Sequence, residues 1–289
     1  MSLPTDLRPE QQIARIEAGC KILKTPSGNG HMVWRSCGKG PPLVLLHGSF
    51  GTWMHWIRNI EALSRHFRVL AVDMPGFGDS DEPADPLSCV SLVETIAAGV
   101  DELTAADEPV RIAGFSYGAS MSAPVAMASK RKIDTICLVA SNGLGSKRGD
   151  PGPLAKWHEA KTPDELHAAQ RQNVGTILIA NPENIDDLAV HIQTINTAKT
   201  RFRSRLTKDR AQLNGMVEKI DARLTSIWGT RDAINFPYVD DCIERLRAVR
   251  PDVDVRVIEN MGHWIGYEAA DKFNPIIIEL LGAETTATA

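Results

Sequence analysis

The chain has 289 residues, 36 acidic against 32 basic side chains, a formal charge of -4 and 43% hydrophobic residues. That balance leaves no basic footprint for nucleic acid or for an anionic membrane surface, so the expected partner is a small molecule. The length suits one large α/β domain or a core carrying an insertion, because single hydrophobic cores stop growing near roughly 250–300 residues.

The N-terminal stretch has no basic patch followed by an apolar run, so no secretory signal is expected. Cys20, Cys37, Cys89, Cys137 and Cys242 are odd in number, scattered and without CxxC spacing, which reads as five buried thiols rather than a zinc or redox site. Both observations point to a reducing cytoplasm. The uncharged run Ile112 to Ser129 approaches the roughly 20 residues of a membrane span, but its Gly, Ser, Ala and Pro124 fit a tightly packed segment of a water-soluble fold.

In chain order, Pro42 to Leu46 is a continuous apolar run closed by His47-Gly48, and Phe67 to Val72 is closed by Asp73-Met74-Pro75-Gly76. Runs apolar on both faces suit strands buried in a parallel sheet. A helical stretch over Leu87 to Ala105 precedes the run Val110 to Ala113, and another over Tyr117 to Lys130 precedes Ile133 to Val139. The rhythm resumes with Leu224 to Trp228, a helical stretch Val239 to Arg250, and Val253 to Ile258. Alternating strand and helix predicts a parallel sheet covered on both faces. Between about Asn142 and Gly215 the rhythm breaks: Gly/Pro clusters open a stretch of helical composition with no strand run. The expected organisation is a first core part over 1–142, a helical cap over 143–214 and a second core part over 215–289.

Gly114-Phe115-Ser116-Tyr117-Gly118 has the GxSxG form, directly after a strand run and before a helix. A sharp strand-to-helix turn there would hold the Ser116 hydroxyl out of the sheet near a helix N-terminus. A serine hydroxyl is a weak nucleophile until an imidazole takes its proton. Asp232, after the run Leu224 to Trp228, and His263, after Val253 to Ile258, both fall in loops beyond strand C-terminal ends, where open α/β sheets place their sites. The order Ser116, Asp232, His263 is the one this topology requires. An oxyanion hole needs the N–H after the nucleophile, at Tyr117, and one from an early loop, for which His47-Gly48-Ser49-Phe50-Gly51 offers Ser49 first and Phe50 second.

With His47-Gly48, Asp73 to Ser80, the Ser116 turn, Trp228 to Asp232 and Gly262-His263 in sequence, the chain resembles the α/β-hydrolase superfamily over roughly residues 40–142 and 215–282. The resemblance implies an eight-stranded, mostly parallel sheet with a helical cap between strands six and seven, and no metal or organic cofactor. Within the superfamily the chain is similar to small capped serine hydrolases such as the meta-cleavage product hydrolases, through Gly262-His263-Trp264 and Glu268. Those enzymes hold a substrate carboxylate with a cap arginine, for which Arg201, Arg203 or Arg205 is available. They carry asparagine before and methionine after the nucleophile, where this chain has Phe115 and Tyr117, so ester or lactone hydrolysis is the first expectation and carbon–carbon bond hydrolysis the alternative. Perhydrolysis, haloperoxidation and a non-catalytic receptor rank below these.

Other polar residues read as structural. His47 is expected to brace the early loop, Asp73 to fix its own, and Asp240 and Asp241 to lie at a helix start away from the site. Asn142, where a triad acid could otherwise stand, is not an acid. The basic residues of Lys199 to Arg210 are spaced so that a helix prevents all of them from facing one pocket, which reads first as a solvated face. Trp53, Phe77, Trp264 and Arg203 are the expected substrate contacts, with Phe50 and Tyr117 also on the wall, favouring an apolar or aromatic substrate that also bears a carboxylate. A homodimer is left open. Pro124 falls inside the helix after the nucleophile, where proline removes a backbone bond.

Overall fold

Strands β1 (Cys20–Ser27), β2 (Gly30–Cys37), β3 (Pro42–Leu46), β4 (Arg68–Asp73), β5 (Val110–Phe115), β6 (Ile133–Val139), β7 (Arg223–Gly229) and β8 (Asp254–Ile258) form one sheet in the order β1-β2-β4-β3-β5-β6-β7-β8. The structure is a computed structural model describing residues 7–82, 88–141, 145–202 and 216–282. Every pairing from β4 through β8 is parallel, while β1 with β2 and β2 with β4 are antiparallel.

The two-residue period of the central strands decides where the core lies. Leu43, Leu45, Val69 and Ala71 belong to a buried cluster on one face, and Val44, Leu46, Leu70 and Val72 to a second cluster on the other. Helix α9 (Ala270–Leu280) supplies Phe273, Ile277 and Leu280 to the first cluster. Helices α3 (Cys89–Leu103), α4 (Tyr117–Ala128) and α7 (Val239–Val249) supply Ile96, Met121 and Leu246 to the second. Covering both faces is what allows β3 to be apolar at all five positions, each of them buried. The remaining helices are α1 (Pro9–Ala18), α2 (Ile60–Leu63), α5 (Pro163–Asn173), α6 (Asp187–Ala198) and α8 (Ile265–Glu268). None of the helices, among the described residues, is long and apolar enough to cross a membrane.

Between β6 and β7 the described residues carry no strand. They form α5, a π-helical turn over Val174–Leu178, and α6. This segment is fastened to the sheet layer by polar contacts. The Thr52 hydroxyl donates to Asn196 Oδ1 at 2.7 Å, the Tyr267 hydroxyl and Arg58 both bond Asp186, and the N–H groups of Arg201 and Phe202 donate to the Gly76 carbonyl.

The first elements carry no sequence signal, and one expectation needs correction. The β1–β2 hairpin and α1 gave no apolar run to read, because β1 is an edge strand with Lys21, Lys24 and Pro26 and alternates irregularly between exposed and buried positions. Cys20 and Cys37 are not thiols: they face each other across the β1–β2 ladder and are joined in a disulfide. Cys89, Cys137 and Cys242 are buried outside any disulfide, so the all-thiol argument for a reducing compartment no longer stands. The helix α4 runs through Pro124, which is buried, and nothing in the packing explains a proline there.

The disulfide closes 17 residues of chain, which limits the unfolded state by about 3 kcal/mol on loop-entropy grounds. Thiol titration of denatured, unreduced protein is expected to count three thiols, and the double variant Cys20→Ser, Cys37→Ser to lose about 3 kcal/mol of unfolding free energy. A count of five thiols would overturn the assignment.

Candidate active site

The last residue of β5 is Phe115, and Ser116 follows it with φ 53° and ψ -110° before α4 begins at Tyr117. A β-carbon makes left-handed backbone costly, of order 1–3 kcal/mol when strained, so the turn persists only where the surroundings impose it. The flanking glycines are part of that imposition. A Cβ on Gly114 would lie 2.3 Å from the Gly118 carbonyl oxygen, and one on Gly118 would lie 2.3 Å from the Leu46 carbonyl oxygen. The Ser116 N–H donates to the Val139 carbonyl at 2.9 Å, which fixes the turn against the end of β6.

Asp232 follows β7 and is fully buried. Its Oδ1 accepts from the Ile234 N–H at 2.9 Å and from His263 Nδ1 at 2.8 Å, and its Oδ2 accepts from Asn235 Nδ2 at 2.9 Å. A carboxylate acceptor on Nδ1 assigns the proton of the neutral imidazole to that nitrogen. Nε2 is then the acceptor, and it lies 2.8 Å from Ser116 Oγ. The result is a continuous relay from Asp232 through His263 to the Ser116 hydroxyl. Asp240 and Asp241 sit on α7, where Asp241 pairs with Arg245, and neither reaches His263.

The loop after β3 is held by two further histidines. His47 accepts the Met74 N–H at Nε2 and therefore donates from Nδ1 to the Gly48 carbonyl. His55 accepts the Gly48 N–H at Nδ1, so its Nε2 carries the proton, and that atom has no partner among the described residues. Gly48 is thus gripped at both its donor and its acceptor. Phe50, two residues on, has φ 51°. The Ser49 N–H donates to no described residue. Asp73 takes the loop-fixing part expected of it, accepting from the Trp53 and Asp79 N–H groups and pairing with Arg35.

Ser116 and His263 open onto a cavity of about 830 Å³ between the sheet layer and the segment that carries α5 and α6. Phe50, Phe77, Phe115 and Tyr117 wall its inner side, and Leu178, Gln193 and Thr197 face them. Arg148, Lys156 and His158 lie on the exposed part of the wall, and no Asp or Glu is among the described lining residues.

Of the expected site residues, Ser116, His263, Ser49, Phe50, Tyr117 and Phe77 all lie on this cavity, with Asp232 behind His263. Trp53 and Trp264 do not. Trp53 is buried with Arg35 over its ring, and Trp264 is buried against Tyr267, its ring centroids 4.2 Å apart, with its indole N–H donating to the His55 carbonyl. Adjacency to His263 did not carry Trp264 into the cavity, because the chain turns into α8 at that residue and sends the indole inward. Arg201 donates to the Gly78 and Ser80 carbonyls instead of facing the cavity. Arg203, Arg205 and Asn142 lie outside the described residues.

Glu268 was singled out only as part of a motif. Its carboxylate accepts the N–H groups of Gly262 at 2.7 Å, Ala180 at 3.2 Å and Asn181 at 2.9 Å, and the Asn181 side-chain amide at 2.6 Å. It therefore joins the histidine loop to the segment beyond the π-helical turn. Asn235 and His55 had no sequence signal at all, since each acts through a local turn that spacing does not reveal.

The family model described as the alpha/beta hydrolase family matches residues 43–276, and the chain belongs to that family. It is an α/β-fold hydrolase. Among curated relatives, the 2-hydroxy-6-oxononadienedioate/2-hydroxy-6-oxononatrienedioate hydrolase of Cupriavidus pinatubonensis is 26% identical over 83% of this chain and 86% of its own length. The dihydrolipoyllysine-residue acetyltransferase component of the acetoin cleaving system of Pseudomonas putida is 27% identical over 84% of this chain, which spans only 64% of that protein. Among solved structures, a carboxylesterase from Bacillus subtilis superposes with a TM-score of 0.72 at 17% identity, covering 95% of each chain.

Burial pushes the His47 imidazole down to about 4. The unfolded chain binds that proton below its ordinary 6.5 and the folded chain only below about 4, so the neutral-state stability is complete above 6.5 and is lost as pH falls towards 4. The loss amounts to about 3 kcal/mol. Chemical denaturation of wild type and His47→Gln is expected to show a stability gap that narrows between pH 7 and pH 4.5. A constant gap would show that His47 does not titrate in this way.

Proposed function

We propose that the protein is a serine hydrolase that cleaves an ester or lactone bond of a small molecule through an acyl-enzyme. The reading rests on one observation above all, the unbroken relay from Asp232 through His263 to Ser116 at the floor of the cavity. Ser116 Oγ attacks the substrate carbonyl carbon while His263 Nε2 takes its proton, and Asp232 holds the imidazole in the required tautomer and stabilises the imidazolium. The imidazolium then gives that proton to the departing alkoxide, leaving the acyl group on Ser116. Water, deprotonated by His263, attacks the acyl carbon and restores the serine. The developing oxyanion is held by the Tyr117 N–H at the start of α4 and by the Ser49 N–H, with Phe50 as the alternative; the Gly48 N–H is already spent on His55.

On this reading, residues 143–214 act as a cap whose side chains choose the substrate, and Phe50, Phe77 and Tyr117 favour an apolar or aromatic group next to the scissile bond. The substrate carboxylate, for which the sequence offers Arg201, Arg203 or Arg205, is better matched to Arg148 and Lys156, because these line the cavity and Arg201 does not. A second reading, hydrolysis of a carbon–carbon bond in a ring-fission product, is favoured by the named activity of the Cupriavidus relative. It uses the same relay, and loss of the ring-fission chromophore distinguishes it from ester cleavage.

Ser116→Ala is expected to reduce turnover of a short activated ester by about 10⁴-fold or more with an unchanged circular dichroism spectrum. Full residual turnover would sink the mechanism. Arg148→Ala and Lys156→Ala are each expected to raise KM for carboxylate-bearing esters by about two- to fivefold, the scale of an exposed ion pair. KM for matched neutral esters should stay put, and an equal rise for both substrate classes would count against the clamp.

A further inference from the structure

We propose that Asn235 is a positioning residue that fixes Asp232, and through it His263, in the orientation turnover requires; the inference rests on the serine-hydrolase reading above. Asn235 lies one turn beyond Asp232, its N–H donating to the Asp232 carbonyl at 3.0 Å, and its side chain is buried. Its amide is used at both ends. Nδ2 donates to Asp232 Oδ2 at 2.9 Å and to the Ser141 carbonyl at 3.3 Å, while Oδ1 accepts from the Cys242 thiol, with sulfur and oxygen 3.8 Å apart. The Ser146 hydroxyl lies 2.9 Å from the same sulfur, and since the thiol donates to Asn235, the hydroxyl donates to the thiol.

The two Nδ2 contacts define the orientation of the amide: turned over, it would set Oδ1 against a carboxylate oxygen and a carbonyl oxygen, neither of which can donate to it. The consequence for Asp232 is geometric. Oδ1 is occupied by His263 and Ile234, and without Asn235 the buried Oδ2 would have no donor among the described residues and the carboxylate could rotate to offer it to the imidazole. An oxygen of a buried charged group left without a partner is costly, which is why the donor at Oδ2 sets where the carboxylate plane lies. Among the titratable groups around this assembly, His263 faces Asp232 directly and His55 lies close to His263. Cys242 faces Asn235 with its thiol pushed up by burial, in the field of Asp241 and Arg245.

A second carboxylate at position 235 would retain the shape and reverse the electrostatics. Asn235→Asp puts an acid against Asp232 Oδ2, where the two share a proton at low pH and carry added negative charge above it, favouring the His263 imidazolium. Because kcat/KM needs neutral His263, its acid limb should move to higher pH, by roughly one unit. Asn235→Ala should lower kcat by about 10- to 100-fold, the change expected for one lost hydrogen bond to a charged group, with KM within about twofold.

The experiment measures kcat, KM and the pH profile of kcat/KM for wild type, Ser116→Ala, Asn235→Ala and Asn235→Asp. Reactive sites are counted by fluorophosphonate labelling so that rates refer to folded enzyme. A merely structural role would lower the labelled fraction or the melting temperature and leave kcat per labelled site and the acid limb where they are. Either result, wild-type kcat per site in Asn235→Ala or an unmoved acid limb in Asn235→Asp, overturns the proposal. If Asn235→Ala does not fold, the isosteric Asn235→Asp carries the test alone. Turnover by Ser116→Ala would instead overturn the hydrolase reading itself, so the two failures are told apart.

Discussion

The left-handed turn at Ser116 is the constraint around which the rest of the molecule is arranged. It needs two glycines whose missing side chains let α4 lie against the ends of β3 and β5, and it needs its own N–H taken by the end of β6. The same device continues across the sheet. The Ala140 N–H donates to the Ile227 carbonyl and the Thr230 N–H to the Ile258 carbonyl, so hydrogen bonds just past the strand ends run from β5 through β6 and β7 to β8. Each of the three strands that end in Phe115, Gly229 and Ile258 therefore delivers its loop in register with the next. That is how residues separated by 147 and 31 positions in the chain arrive within hydrogen-bond distance of one another.

Buried polar groups do the corresponding work in the loop after β3. His47 and His55 hold the carbonyl and the N–H of Gly48, and Asp73 holds the N–H groups of Trp53 and Asp79 against Arg35. Burial lowers the pKa of both histidines and raises that of Asp73, which is the direction expected when a charged form is removed from water. For both histidines the neutral form is the useful one: it lets His47 bridge the Met74 N–H and the Gly48 carbonyl, and it leaves His55 Nδ1 free to accept the Gly48 N–H. Desolvation that would disable a general base here serves to keep the early loop in one shape.

The strands from β3 onward, α3, α4, α7 and the Ser116, Asp232, His263 set were legible in the sequence because each is written locally, as an apolar run closed by turn residues. β1 and β2 were not, because an edge hairpin half exposed to water has no need of a continuous apolar run. The disulfide escaped for a related reason: nothing in the spacing of Cys20 and Cys37 reports that two unread strands set them opposite each other. Trp53 and Trp264 show the limit of adjacency, since a residue beside a functional one points wherever the local turn directs it. Arg148 and Lys156 were passed over in favour of a denser basic cluster, and density of charge along the chain says nothing about which side chains a fold turns towards a cavity.

The helical segment between β6 and β7 meets the sheet layer in two different ways, and the difference divides the site by task. Around Leu178 to Asn181 it is bound to the histidine loop itself: the Trp264 N–H donates to the Leu178 carbonyl, and Glu268 accepts from Gly262 on one side and from Ala180 and Asn181 on the other. A single buried carboxylate, satisfied by N–H donors, thus makes the position of His263 and the position of this stretch one and the same. Around Arg148 to His158 the segment contributes exposed, charged and aromatic side chains to the cavity wall, tied to the core through the Gly149 N–H on the Ile234 carbonyl. Side chains there can change without disturbing the relay, whereas changes at the clasp would be felt at His263. A fold that fastens the cavity wall to its histidine at one end and leaves side chains open to variation at the other has the physical means to keep one chemistry while altering what it admits.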